Sequence, residues 1–153
     1  MDIKFKNTKS IPSFSFEKEA KQEDSQDTLC VEVAECVTEL LNAAVSFHKL
    51  HLKVTGLGSY ASHKALNSLY DSLPELGDQL AEQFQGAKEE LLKYTVKAPR
   101  ELNTKEEGIQ YIREIKEMTS NLQTKIPYSE IVNDLDALKS TLNSIKYKLI
   151  YLS

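Results

Sequence analysis

Residues 131–149 read IVNDLDALKSTLNSIKYKL, and this stretch decides the fold. Ile131, Leu135, Leu138, Leu142, Ile145 and Leu149 recur in alternating steps of four and three, which lines one face of an α-helix with apolar side chains. Pro127, just upstream, suits the first turn of that helix. Working backwards, Thr104-Lys105-Glu106-Glu107 is a capping box, and it opens a helix whose inward face is Ile109, Ile112, Ile115, Met118 and Leu122. Val33, Val37, Leu40, Ala44, Phe47 and His51 form a similar stripe on a long helix that starts near Ser25 and stops near Val54. Gly56 and Gly58 supply the turn after it. Ser59 then reads as the N-cap of a helix over 60–85, ended by Gly86 and bent at Pro74. The expected architecture is all-α: four long amphipathic helices in a bundle, with a short extra helix or a loop between the second and third. AKEELLKYTV, residues 87–96, carries the short-helix expectation, and Ala98-Pro99 ends it.

Composition agrees with one bundle domain. The chain has 153 residues, 41% apolar and 27% charged, with five glycines and four prolines, too few for a β-fold rich in tight turns. The formal net charge of −4 implies no whole-molecule attraction to nucleic acid. No apolar run approaches the ~18 residues of a membrane span. The first residues have no secretory h-region, so a cytoplasmic location is expected. Residues 1–25 lack sustained periodicity and read as an N-terminal tail, mobile or docked, with 26–153 as the bundle. Three lysines against one aspartate in residues 1–10 suggest weak, salt-sensitive DNA contact, which the following acids offset. Cys30 and Cys36 are neither a CxxC pair nor a disulfide framework, and they are expected to stay reduced.

Chemistry concentrates around the link between the first two helices. His51 lies in the last turn of one, His63 in the first turn of the next, and His48 is the only other histidine. Asp78 and Glu82, four apart, share a face farther along the second helix. Imidazole with carboxylate suits Fe(II), Mn(II) or Zn(II). Fifteen helical steps, roughly 22 Å of rise, separate His63 from Asp78, so one copy cannot bring both to one ion. Two copies with their second helices packed antiparallel about a two-fold axis can, and symmetry then makes two sites.

His51-Leu-Lys-Val-Thr-Gly56, His63, Leu69-Tyr70-Asp71 and Asp78-Gln-Leu-Ala-Glu82 together resemble the Dps family of ferritin-like mini-ferritins. Its pattern is H-W-x-V-x-G, a second His twelve residues after the first, and D-x-x-A-E-R. The chain keeps the two His, the Val, the Gly, the Asp and the Ala-Glu at every interval across about residues 47–86. The resemblance implies a ferritin-like four-helix bundle. His51 and His63 of one subunit and Asp78 and Glu82 of its two-fold mate would hold Fe(II), which is oxidised by hydrogen peroxide in preference to oxygen. It also implies storage of Fe(III) in a hollow homo-oligomer, a dodecamer in that family, and protection against oxidative damage. The chain departs from the pattern at Leu52, Asn67 and Gln83, where the family carries a Trp, often an acid, and an Arg; Pro74 lies near the middle of the two-fold contact. Those departures motivate a second expectation, a helical bundle serving as a structural or interaction component with weak or no ferroxidase activity.

Overall fold

The computed structural model describes residues 16–152, with side chains from Thr28 onward. Four α-helices make up the regular structure: α1 (Phe16–His51), α2 (Ser59–Lys88), α3 (Lys105–Gln123) and α4 (Ser129–Tyr151). Among the described residues none is in a strand, and no helix is long and apolar enough to cross a membrane. The four-helix, all-α expectation therefore holds.

Ring order follows from the contacts. α1 packs against α2 and α3, and α4 packs against the same two from the opposite corner. The starts of α2 and α4 lie at opposite ends, because Phe84 near the end of α2 meets Tyr128 at the start of α4, with ring centroids 6.2 Å apart. Lys125, just past α3, reaches Glu32 low on α1, and Lys53, just past α1, donates to the Leu102 carbonyl ahead of α3. Every neighbouring pair thus runs antiparallel, while α2 and α3, on a diagonal, point the same way. A short link joins α1 to α2, another joins α3 to α4, and one long crossover travels the length of the bundle between α2 and α3.

The predicted stripes become the core. All six α1 positions from Val33 to His51 are buried, as are all six on α4. On α3, Met118 is only partly buried, whereas Tyr111 and Thr119 are fully so. Tyr111 turns inward because its ring stacks on Phe47, 5.2 Å between centroids, and its hydroxyl donates to Glu39 Oε1 at 2.9 Å. The buried hydroxyls of Thr38, Ser46 and Thr119 each donate to the carbonyl four residues back, so they enter the core without an orphaned polar group. Cys36, wholly buried, has its thiol pushed up to about 12, first by burial and then by the Glu39 charge, and both cysteines are free.

Several boundaries differ from the sequence expectation. α1 begins at Phe16, because FEKEAKQEDSQ is rich in good helix formers even though it lacks an apolar stripe; the rest of the tail, with the lysines proposed for DNA contact at 4, 6 and 9, lies outside the described residues. Ser59 is the first helical residue rather than the N-cap, since Gly58 takes that place at φ 77° and no side chain caps the helix. Pro74 lies inside α2, where the sequence places it. Gly86 does not end it either; the helix closes at Lys88, with Glu89 left-handed at φ 55°. Pro127 precedes α4 by two residues. The capping box at Thr104 is formed, with Thr104 Oγ1 accepting from the Glu107 amide at 3.2 Å and Glu107 Oε2 from the Thr104 amide at 3.3 Å.

The short helix expected over 87–96 is absent, and residues 91–103 form the crossover without regular structure. Leu92 and Leu102 peg its two ends into the core. Between them Asn42 Nδ2 donates to the Lys97 carbonyl at 3.1 Å. Arg100 lies over the Tyr111 ring at 4.1 Å and pairs with Glu39 and Glu114. Those contacts hold the segment extended against α1 and α3, where a helix would be too short to bridge the bundle from end to end.

Candidate metal centre

α1 ends and α2 begins at the same end of the bundle, and this brings the histidines together. The His51 and His63 rings lie 4.3 Å apart between centroids. His48 lies 5.1 Å from His51, so all three histidines of the chain form one cluster. His51 is 6% exposed, His63 is half-buried and His48 is exposed.

Backbone carbonyls orient the two inner rings. His51 Nδ1 lies 2.8 Å from the His48 carbonyl, and His63 Nδ1 lies 3.2 Å from the His51 carbonyl. A carbonyl oxygen can only accept, so each Nδ1 carries a proton, and a neutral ring in this orientation presents its lone pair at Nε2. A backbone carbonyl holding the far nitrogen is the usual support for a metal-binding imidazole.

Tyr70 completes the cluster. Its ring stacks on His48 at 4.1 Å, nearly parallel at 9°, and lies 5.0 Å from His51. Its hydroxyl donates to Asn67 Oδ1 at 3.0 Å, and Asn67 Nδ2 donates in turn to Asp71 Oδ2. From the sequence, Tyr70 has packing as its default reading and a place near the site as the alternative. The signal for a closer role was its spacing: seven residues after His63 is two helical turns, hence the same face.

Asp78 and Glu82 lie elsewhere. Both are exposed on α2 and line an open surface hollow with Asp71, Glu75 and Gln83. Neither takes part in a salt bridge or hydrogen bond among the described residues. Tyr94, on the crossover, comes near: burial raises its phenol above the ordinary range, and the Asp78 charge adds to the rise. Gln83, which also lines the hollow, has its amide oxygen buried without a hydrogen-bond partner among the described residues. Within one chain, then, the four predicted ligands divide into a nitrogen pair and a carboxylate pair. No group of three or more candidate ligands converges among the described residues.

A model of a family of unknown function (DUF5856) matches residues 51–149. The chain belongs to that family. The DUF5856 match begins at His51, takes in His63, Asp78 and Glu82, and runs through the crossover to Leu149 at the end of the α4 stripe. An uncharacterised 14.6 kDa protein from the mobD-ri intergenic region of Enterobacteria phage T4 is 28% identical over 110 residues, covering 72% of this chain and 81% of the relative. No solved structure matches the chain.

Proposed function

We propose that this DUF5856 protein is a ferritin-like iron-binding protein whose metal sites form between two copies, Fe(II) being their substrate. The carrying observation is the His51/His63 pair, two imidazoles side by side with both Nδ1 atoms on carbonyls and both Nε2 atoms left to accept. Exposed carboxylates without ion-pair partners at Asp78 and Glu82 provide the complementary half. The single long crossover, with α2 and α3 parallel, is the connectivity of ferritin-like bundles and supports the reading.

The donor set fits iron. Imidazole nitrogen holds Fe(II), and carboxylate oxygen favours the harder ferric product. In an antiparallel two-fold contact along α2, the histidines of one copy meet the acids of the other, and both sites are equivalent. Each Fe(II) gives up one electron. Hydrogen peroxide takes two electrons and two protons and leaves as water; oxygen is the slower oxidant. Asn67 is already engaged with Tyr70 and Asp71, so the set has four protein ligands and no fifth carboxylate at that position. Ferric iron would then collect inside a homo-oligomer. Zn(II) and Mn(II) suit the same donors.

One observation favours the second reading, a bundle acting as a structural component: Leu41 and Val45 leave about two-fifths of their surface exposed on α1 beside α2. An apolar strip there suits a contact surface with or without metal.

The test is anaerobic addition of Fe(II) to metal-free protein, followed by hydrogen peroxide or air while ferric absorbance is recorded. The His51→Ala/Asp78→Ala double variant is run alongside, with mass measured for both. Fast peroxide-driven oxidation, lost in the variant while the oligomer persists, supports the iron reading. Wild-type oxidation no faster than buffer removes it and leaves the structural one.

A further inference from the structure

A groove of about 330 Å³ runs between α1 and α3, toward the end of the bundle away from the histidines. Met118 and Leu122 give it an apolar floor, and Glu32, Glu35, Glu114 and Glu117 stand along it. None of the four metal-ligand candidates lines it. We propose that residues 3–9 of this same chain, Ile3-Lys4-Phe5-Lys6-Asn7-Thr8-Lys9, fold back along α1 and occupy this groove.

The four acids are unequally satisfied. Lys125 pairs with Glu32 at 2.6 Å, and Arg100 pairs with Glu114. Glu35 and Glu117 are exposed and take part in no ion pair or hydrogen bond among the described residues. Unpaired carboxylates beside an apolar floor select an occupant that is both cationic and apolar. A purely apolar one would strip water from the carboxylates without replacing it, and a small cation would leave the floor wet.

Residues 3–9 have that chemistry. Three lysines against one aspartate make residues 1–15 a basic segment in an acidic chain. Ile3 and Phe5 alternate with Lys4 and Lys6, and in an extended chain that alternation puts the apolar pair on one side and the ammonium groups on the other. With Ile3 and Phe5 on the Met118 and Leu122 floor, the long lysine stems can bend to the carboxylates at the rim. Reach is sufficient. From Phe16, where α1 begins, to Glu35 the helix rises roughly 28 Å. Lys6 and Lys4 precede Phe16 by ten and twelve residues, spans of up to about 33 and 40 Å when extended. Tethering gives the segment an effective concentration on the order of millimolar, so weak contacts suffice to hold it in preference to a separate partner.

The chain has two methionines, Met1 and Met118, so labelling methionine methyls lets the Met118 signal report the groove floor. A nitroxide is placed at Ser10→Cys in the full chain carrying Cys30→Ser; Cys36 is wholly buried and stays unlabelled. No iron is added, which keeps the result independent of the metal reading. The Met118 signal should be broadened beyond detection and should return when ascorbate reduces the nitroxide. Lys4→Glu/Lys6→Glu/Lys9→Glu should abolish the broadening, and adding Glu35→Lys/Glu117→Lys to that chain should restore it. Spin-labelled chains without isotope, refolded with isotope-labelled chains without nitroxide, should leave the signal sharp. The proposal falls if the signal is sharp in the spin-labelled parent, if broadening survives the triple reversal, or if the charge swap fails to restore it. Broadening in the mixed sample also overturns it, by assigning the groove to the segment of a second copy.

Discussion

The two ends of α2 carry the two halves of the candidate site in contrasting states. At the start, His63 is packed against His51 and tied to a backbone carbonyl, and His51 in turn lies close to the Tyr70 ring. Fifteen residues on, Asp78 is exposed, as is Glu82, and both face an open hollow. On the proposed function, the fold orders the nitrogen pair before any metal arrives and leaves the carboxylate pair hydrated, and a second copy would bring the two together.

Mixing broken halves gives the largest effect. A His51→Ala/His63→Ala chain and an Asp78→Ala/Glu82→Ala chain should each lose fast iron oxidation. Combined after unfolding and refolding, their heterodimers contain one intact site and one lacking all four ligands, so activity should return to about a quarter of the parent in an equal mixture. No recovery in the mixture would place the ligands within one copy or dismiss the site.

Next in size is support for the imidazoles. Tyr70→Ala removes the ring against His48 and His51, and metal affinity measured by Co(II) or Zn(II) titration should fall about tenfold, the lower range for loss of a neighbouring support. Glu75→Ala, in the carboxylate hollow, should leave affinity within about twofold because nothing there is yet ordered. Equal losses would erase the contrast between the ends.

Smaller effects probe how the acid end is anchored. Gln85 Oε1 accepts from the Leu92 amide at 2.9 Å and the Tyr94 hydroxyl at 3.4 Å, which ties the crossover to α2 just beyond Glu82. Gln85→Ala should cost about 1–2 kcal/mol in urea unfolding, since Leu92 is buried and its amide would lose its partner. Gly77→Ala has the opposite sign. A Cβ there would meet Leu40 Cβ at 3.6 Å and Leu41 Cδ2 at 3.7 Å, ordinary contact, so the helix-propensity term should stabilise by about 0.5–1 kcal/mol. Destabilisation would mean that α1 and α2 are too close at the acid end to admit a methyl group.

Much of the bundle was legible in the sequence because a buried helix face must be apolar, and that requirement is local and periodic. Every position of the α4 and α1 stripes is buried, and on α4 the stripe is the whole of the buried set. The Thr104 capping box was legible for the same reason, since both of its bonds lie within one turn. Tyr111 and Thr119 were not legible as core, because a hydroxyl is admitted only where a particular partner, Glu39 or the Ile115 carbonyl, is within reach. Residues 87–103 had a helical look over their first part and no pattern over the rest. Their path depends on Asn42, Arg100 and Lys53 meeting groups far along the chain.

The sequence by itself determined the helices, their inward faces and the shared face of Asp78 and Glu82 on α2, since each depends on spacing along one helix. Tertiary structure alone decided that α2 and α3 start at the same end and that a strap rather than a helix joins them. It alone set the His51 and His63 rings on the His48 and His51 carbonyls and left Asp78 and Glu82 in solvent. Those outcomes depend on which distant groups satisfy one another's hydrogen bonds and charges when the chain closes, and no local pattern encodes that.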